Sequence, residues 1–284
     1  MAINYFRFLA IFLVLLSGST GFVTATDSVL VGKAVPTPTP KPPEQDRVAR
    51  IRKTFPVVEY AQNPPADPIR TAKSSKYGSV KILDPNIYEN SMEAVSNDWE
   101  VGLTALPVRE SQVIVRGKIS HRAAYLSANM SDVYSEFTIN AEKFFKPQNS
   151  RKLPDLIRAE RWGGIVKFPS GFEKWFFVNG QRMPEEGKEY VFFLSNNSAS
   201  IGSSRDDLFI LTAYEIQPNG MVAPLDYPGG GTHPIAATYL NKPVSSLLID
   251  LEVAIKNVSA DRSTSVIHRI GPLDSSRRVS FIFP

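Results

Sequence analysis

The chain has 284 residues, of which 43% are hydrophobic and 11% aromatic, and a formal net charge of +4. This composition is typical of a globular core and excludes a largely disordered chain. Cysteine is absent, which excludes a disulfide scaffold, a thiolate zinc site and a cysteine nucleophile. The charge is uneven, because residues 27–81 contain ten Lys and Arg against five Asp and Glu, whereas residues 82–284 contain 21 against 23.

The first 25 residues have the three parts of a secretory signal peptide. Arg7 ends a short polar start, residues 8–16 are uninterrupted apolar residues, and Val23-Thr24-Ala25 fits a cleavage site. An uncleaved membrane anchor is the alternative, but the apolar run is much shorter than the roughly 20 residues that span a bilayer. The sequence therefore predicts a signal peptide over residues 1–25 and a protein exported to the periplasm or the extracellular space. The absence of cysteine from an exported chain favours a bacterial source.

Residues 26–76 are predicted to form a proline-rich, basic and largely disordered linker. The stretch 35–45 reads VPTPTPKPPEQ, which favours an extended polyproline II spacer. Prolines continue to Pro68 and prevent long regular elements. Basic residues at 47–53 suit contact with an anionic surface, and the alternative interpretation is a solubilising linker.

From residue 77 onward, apolar residues recur with the period of two that is typical of half-buried β-strands. The first strand is predicted over 113–119, with a bulge at Gly117. A long, bent strand is predicted over 133–145, where Phe137 and Ile139 share one face and Glu136, Thr138 and Asn140 the other.

The remaining strands are bounded by glycine and by turn signals. Gly163-Gly164 interrupts the apolar stretch 156–168, which indicates a break, a bulge or a corner. Asn179-Gly180 and Pro218-Asn219-Gly220 are hairpin-turn signals. The further predicted strands are 175–178, 190–194, 208–216 and 221–223.

Apolar residues at 3.6-residue spacing predict one helix over residues 245–258. Its apolar stripe must be buried, and the open side or an end of a barrel is the expected partner. Long, glycine-interrupted strands favour a mainly β fold: a partly open, antiparallel OB-like barrel over residues 77–284 with one helix in the C-terminal half. A β-sandwich with an appended helix is the alternative.

The run from Gln112 to Leu194 resembles a type of uncharacterised exported bacterial domain that is built around one such barrel. The resemblance rests on QVIVRGKIS, VYSEFTINAEKFFKP and MPEEGKEYVFFL. It is carried by strand and turn residues: Tyr134, Phe137, Ile139, Lys143, Lys146, Gly187, Tyr190, Phe193 and Leu194. The layout is also similar to the OB-like barrels of netrin-type modules, although those depend on disulfides. The resemblance covers under half of the chain and implies a fold but no activity.

No sequence motif predicts a catalytic, cofactor-binding or metal-binding residue. His121, His233 and His268 are too far apart in sequence for a short-spaced metal motif. The glycine run 229–231 lacks the lysine and Ser/Thr of a phosphate-binding loop. Adjacent acidic pairs at 185–186 and 206–207 are typical of solvent-facing turns.

The strongest binding signal is a run of aromatic and basic residues between 161 and 177. Exposed aromatic rings on a barrel wall can stack on sugars or bases, which makes Trp162, Phe172, Lys174 and Trp175 the candidate ligand-binding residues. The alternative is that these rings fill the barrel core. Export argues against nucleic acid, which leaves an envelope polysaccharide or a protein as the partner.

Three hypotheses about function follow. The first is an exported, non-enzymatic binding or scaffold module without a cofactor. The second is a hydrolase of envelope glycans that uses carboxylates such as Glu160 and Glu173, and the third is an inhibitor-like module of an exported enzyme. Exposed Trp162 and Trp175 beside a groove would favour glycan binding, whereas two facing carboxylates in a cleft would favour the hydrolase. A closed barrel with neither would leave the scaffold or the inhibitor.

Overall fold

A computed structural model describes residues 52–61, 71, 77, 82–95, 99–146, 154–196, 208–260 and 278–282. The predicted signal peptide and most of the predicted linker lie outside the described residues. The strands are β1 Val57–Glu59, β2 Ser91–Val95, β3 Val113–Leu126, β4 Val133–Lys146, β5 Leu156–Trp162, β6 Gly164–Lys167, β7 Glu173–Val178, β8 Glu189–Asn196, β9 Leu208–Ile216, β10 Val222–Pro224 and β11 Arg278–Ile282. A 3₁₀ helix spans Pro228–Gly231, and two α-helices follow, α1 Pro234–Ala237 and α2 Val244–Ala260.

Five of these strands close into a barrel. The pairs β3–β4, β4–β5, β3–β8 and β8–β9 are antiparallel. The barrel closes where β5 and β9 run parallel, over the pairs Ala159–Leu208 and Glu160–Phe209. The predicted mainly β fold, with an OB-like barrel and one long helix in the C-terminal half, is confirmed.

Two glycine positions allow the chain to bend. The ladder between β3 and β4 changes register at Arg116/Gly117, and a Cβ at Gly117 would lie 2.4 Å from the carbonyl oxygen of Asn140. Gly163 has φ +110°, and a Cβ there would lie 2.7 Å from the carbonyl oxygen of Phe176. The chain leaves the barrel at this point and enters the second sheet as β6. The bulge and the break predicted from these glycines are both confirmed.

The second sheet has the order β1-β6-β7-β2-β11, and its strands β6, β7 and β2 have buried residues on both faces. On one face, Met92, Ile165 and Trp175 join the hydrophobic cluster of the barrel interior. On the other face, Val166 and Phe176 pack in a separate cluster with residues from the distal half of the β3–β4 hairpin. Because both faces are covered, these strands do not show the alternation of polar and apolar residues that identifies a half-buried strand.

The two predicted hairpin turns have different outcomes. The turn at residues 217–221 joins β9 to β10, whose register pairs Ile216 with Val222, so this hairpin is confirmed. The chain also turns at Asn179-Gly180, where the amide of Gln181 donates to the carbonyl of Val178 at 3.1 Å. However, β7 pairs with β6 and β2 and not with the strand that follows it. The hairpin predicted at this turn is therefore wrong, because the turn carries the chain from one sheet to the other.

The helix predicted over residues 245–258 is confirmed as α2, and it packs on the outer wall of the barrel. Leu247 and Leu251 are fully buried in a cluster with Ile114, Phe193 and Tyr214 from β3, β8 and β9. The predicted partner, an open side or end of the barrel, is wrong, because the barrel is closed and the helix contacts outward-facing residues of its wall. The helix instead covers one sector of the wall.

The segment before β1 is part of the folded structure, although the sequence predicts a linker as far as residue 76. Phe55 is 6% exposed and belongs to the cluster of the barrel interior. The guanidinium of Arg122 donates to the carbonyl of Thr54, and the amide of Ile165 donates to the carbonyl of Pro56 at 2.9 Å. The strand β1 is only three residues long and lies among prolines, so its sequence gives no strand pattern.

We expect Phe55→Ala to lower the free energy of unfolding by about 3–5 kcal/mol, because it leaves a cavity in the barrel cluster. Urea denaturation followed by circular dichroism measures this loss. Val57→Ala is the matched control, since Val57 is 48% exposed, and should change the free energy by less than about 0.5 kcal/mol. Equal effects of the two variants would mean that residues 52–61 do not contribute to the core.

Buried tyrosines make the fold sensitive to alkaline pH. Burial raises the pKa of Tyr190 and of Tyr214 above the usual value. The Tyr214 hydroxyl also donates to the carbonyl of Ala105 at 2.6 Å. These phenols stay neutral in the folded chain at a pH where an unfolded chain ionises, so their contribution to stability is complete below about pH 10 and is lost above it.

We expect the free energy of unfolding to fall between about pH 10 and pH 12, and to fall less steeply in Tyr214→Phe than in the wild type. Urea unfolding curves at pH 9, 10, 11 and 12 provide the measurement. Tyr88→Phe is the control, because Tyr88 is 75% exposed. A pH dependence of Tyr214→Phe identical to that of the wild type would contradict the assignment.

Candidate binding face

The structure separates the two tryptophans of the predicted ligand site. Trp162 and Trp175 are each 3% exposed and belong to different hydrophobic clusters. Trp162 packs edge-to-face on Phe176, with ring centroids 6.0 Å apart. The indole N–H of Trp175 donates to Oε2 of Glu173 at 3.0 Å. Neither ring presents a face to solvent, so the alternative interpretation, core packing, is the one that fits both tryptophans.

The other two predicted site residues do not join them in a groove. Lys174 Nζ lies 2.9 Å from Oε2 of Glu93 and 5.0 Å from the ring centroid of Phe176. Its charge is therefore compensated within the protein. Phe172 is half-buried in the turn between β6 and β7, where its carbonyl accepts the amide of Phe168. These four residues form core and turn contacts and do not form a stacking platform.

The two carboxylates named for the hydrolase hypothesis lie in different sheets. Glu160 is on β5 in the barrel, and Glu173 begins β7 in the second sheet. Glu173 bonds both Arg52, at 3.1 Å, and the indole of Trp175, which is typical of a structural carboxylate. Among the residues that the structure describes, no group of three histidine or acidic side chains could hold a metal ion.

A fully buried ion pair, Arg161–Asp226, lies where the barrel closes. Two guanidinium nitrogens of Arg161 donate to the two carboxylate oxygens of Asp226, each at 2.8 Å. The same guanidinium donates to the carbonyls of Ile210 and Leu211 on β9 at 3.1–3.3 Å, and to the carbonyl of Arg182. The amide of Arg182 in turn donates to Asp226 at 2.9 Å. The sequence does not indicate this pair, because its members are 65 residues apart.

We expect Arg161→Met to lower the free energy of unfolding by about 3–5 kcal/mol, because it leaves Asp226 buried without its counter-charge. The double variant Arg161→Met with Asp226→Leu should lose less, since no unpaired charge remains. Arg158→Met, at an exposed site three residues away, is the control. Urea denaturation of the three variants measures the differences. A loss below about 1 kcal/mol in Arg161→Met would show that the pair does not hold the closure.

The outer surface of β3, β4 and β5 is a different kind of region, which we call the three-strand face. Its residues are exposed or half-exposed, and none belongs to a hydrophobic cluster. They are Lys118, Ser120, His121, Thr138, Asn140, Leu156 and Arg158. Strand register places His121, Thr138 and Arg158 in one row across the sheet, and Lys118, Asn140 and Leu156 in a neighbouring row.

Lys118 and Arg158, the cations of the three-strand face, have no counter-charge in the part of the chain that the structure describes. No ion pair or hydrogen bond joins the side chain of Lys118, His121 or Arg158 to another group there. The next row toward the hairpin tip contains Glu136 and Glu160, which bounds the cationic area on that side. The sequence correctly predicts that Thr138 and Asn140 face outward, but it does not single out the cations beside them.

The chain has no match among protein-family models, curated proteins or solved structures. No helix within the described ranges has the length and apolarity needed to cross a membrane.

Proposed function

We propose that this chain is an exported, non-enzymatic binding module whose three-strand face holds an envelope polysaccharide or protein. Its export rests on the signal peptide predicted over residues 1–25. The resemblance to exported bacterial barrel domains supports the same interpretation and implies no activity of its own.

The observation that carries this proposal is that the three-strand face is polar and exposed while other surfaces of the barrel are covered. Helix α2 packs on the wall formed by β3, β8 and β9. The second sheet and Phe55 pack against the barrel interior. In OB-type barrels, the face of the second and third strands is a common site for extended ligands. In this barrel the second and third strands are β4 and β5, the central and outer strands of the three-strand face.

The structure offers less support for the hydrolase hypothesis. Glycoside hydrolysis requires two carboxyl groups on either side of a bound sugar, with one of them able to donate a proton. Glu173 is instead held by Arg52 and Trp175. A binding role needs no such pair, because flat polar surfaces can hold a partner without reacting with it.

We expect the exported chain to bind at least one purified envelope fraction, and Asn140→Trp to weaken this binding at least about tenfold. Asn140 is exposed in the middle strand of the three-strand face, so a large side chain there would block the surface. Binding to peptidoglycan, acidic polysaccharide and envelope protein fractions would be measured by sedimentation and surface plasmon resonance. Unfolding midpoints would establish that the variant is folded.

Lys242→Trp is the matched control, because Lys242 is exposed just before α2 and its carbonyl accepts the amide of Val222 on β10, a strand that pairs with β9 outside the three-strand face. Equal losses in the two variants would contradict a role for the three-strand face. Release of reducing sugar from any fraction by the wild type would contradict a non-enzymatic module.

A further inference from the structure

We infer that the ligand of the three-strand face is an acidic polysaccharide, a linear glycan with carboxylate groups along its length. This inference rests on the proposed function and deepens it by naming the chemistry of the ligand.

Most cations on the barrel strands are paired within the protein. Arg116 bonds Glu189, Lys143 lies 3.4 Å from Glu252, and Arg161 holds Asp226. Arg122 and Lys146 donate to backbone carbonyls. Only Lys118 and Arg158, among the Lys and Arg of the five barrel strands, lack such a partner in the described structure. Both are exposed, and both lie on the three-strand face.

The two cations are also separated across the sheet. Neighbouring strands lie about 4.8 Å apart, so Lys118 on β3 and Arg158 on β5, which are two strands apart and in neighbouring rows, have backbones more than about 10 Å apart. The cationic groups are therefore spread across the sheet and do not converge on one point. Such a spread suits an extended ligand with repeated charges better than a single small anion.

The side chains between the two cations suit a sugar chain. Ser120, Thr138 and Asn140 provide hydroxyl and amide groups that can exchange hydrogen bonds with sugar hydroxyls. Leu156 is 59% exposed and offers an apolar contact to a sugar ring. The face contains no Phe, Tyr or Trp side chain, whereas proteins that bind single-stranded nucleic acid stack its bases on such rings. This composition favours an acidic glycan over a nucleic acid.

The probe for this inference is an oligogalacturonate, with neutral dextran and single-stranded DNA of similar length as comparisons. We expect the exported chain to bind oligogalacturonate at least about tenfold more tightly than dextran at low salt, and to lose this preference in about 0.5 M NaCl, because exposed charges are screened. The double variant Lys118→Glu with Arg158→Glu should bind oligogalacturonate at least about tenfold more weakly than the wild type.

The control is Lys242→Glu with Lys256→Glu, which changes the net charge by the same amount at exposed positions in and just before α2. We expect this variant to bind within about twofold of the wild type. Lys118→Arg with Arg158→Lys should retain binding, which would show that charge at these positions is what the ligand needs. Unfolding midpoints of all variants would establish that they are folded.

Three results would overturn the inference: no preference for oligogalacturonate over dextran, equal losses in the two charge-reversal variants, or tighter binding to DNA. Dextran binding that is lost in Asn140→Trp would reject the acidic ligand and retain the three-strand face as a binding site. Failure to bind any envelope fraction would reject the proposed function as well.

Discussion

The closure of the barrel depends on the buried ion pair between Arg161 and Asp226. The parallel ladder of β5 and β9 contains only two residue pairs, and the Arg161 guanidinium then continues the connection by bonding carbonyls of β9. Asp226 lies in the segment after β10, and Arg182 lies in the segment after β7. The carbonyl of Arg182 accepts from the Arg161 guanidinium, and its amide donates to Asp226, so both segments are bonded to the closure. Desolvating two charges is costly, but here the guanidinium and the carboxylate bond each other and neighbouring backbone groups. One arginine thus fixes the relative positions of four parts of the chain.

Closure has a consequence for function, because the interior of a five-stranded barrel is filled by its own side chains. Phe137, Ile139, Tyr190 and Phe192 are fully buried. A ligand must therefore bind on the outer wall or at an end. Helix α2 covers one sector of the wall, and the second sheet with Phe55 packs against the interior cluster. Among the described residues, the three-strand face is an outer surface that neither helix α2 nor the second sheet covers.

The sequence predicts the strands that contain an alternating pattern or a continuous apolar run, and these include β7, β8 and β9, which are buried on both faces. The strand predicted over 133–145 is observed as β4, the strand over 208–216 has the predicted bounds, and the helix is found as α2. The strand β2 was missed, because Glu93 interrupts its apolar pattern and is neutralised by Lys174 from another strand. Asn179-Gly180 predicts a turn correctly, but turn chemistry does not determine which strands pair on either side of it.

Burial also explains the outcome at the candidate site. An alternating strand would place half of its aromatic rings outside, and this expectation motivates a stacking role for Trp162 and Trp175. In the fold, β7 is buried on both faces, so Trp175 lies in the cluster of the barrel interior, while Trp162, at the end of β5, packs on Phe176 in the other cluster. Lys118 and Arg158, in contrast, look in sequence like ordinary solvent-facing cations. They differ from the other barrel cations in lacking a partner in the described structure. This difference cannot be read from the sequence, because the partners of a cation are set by the whole fold. The residues most useful for proposing a ligand are therefore the ones that local sequence patterns identify least.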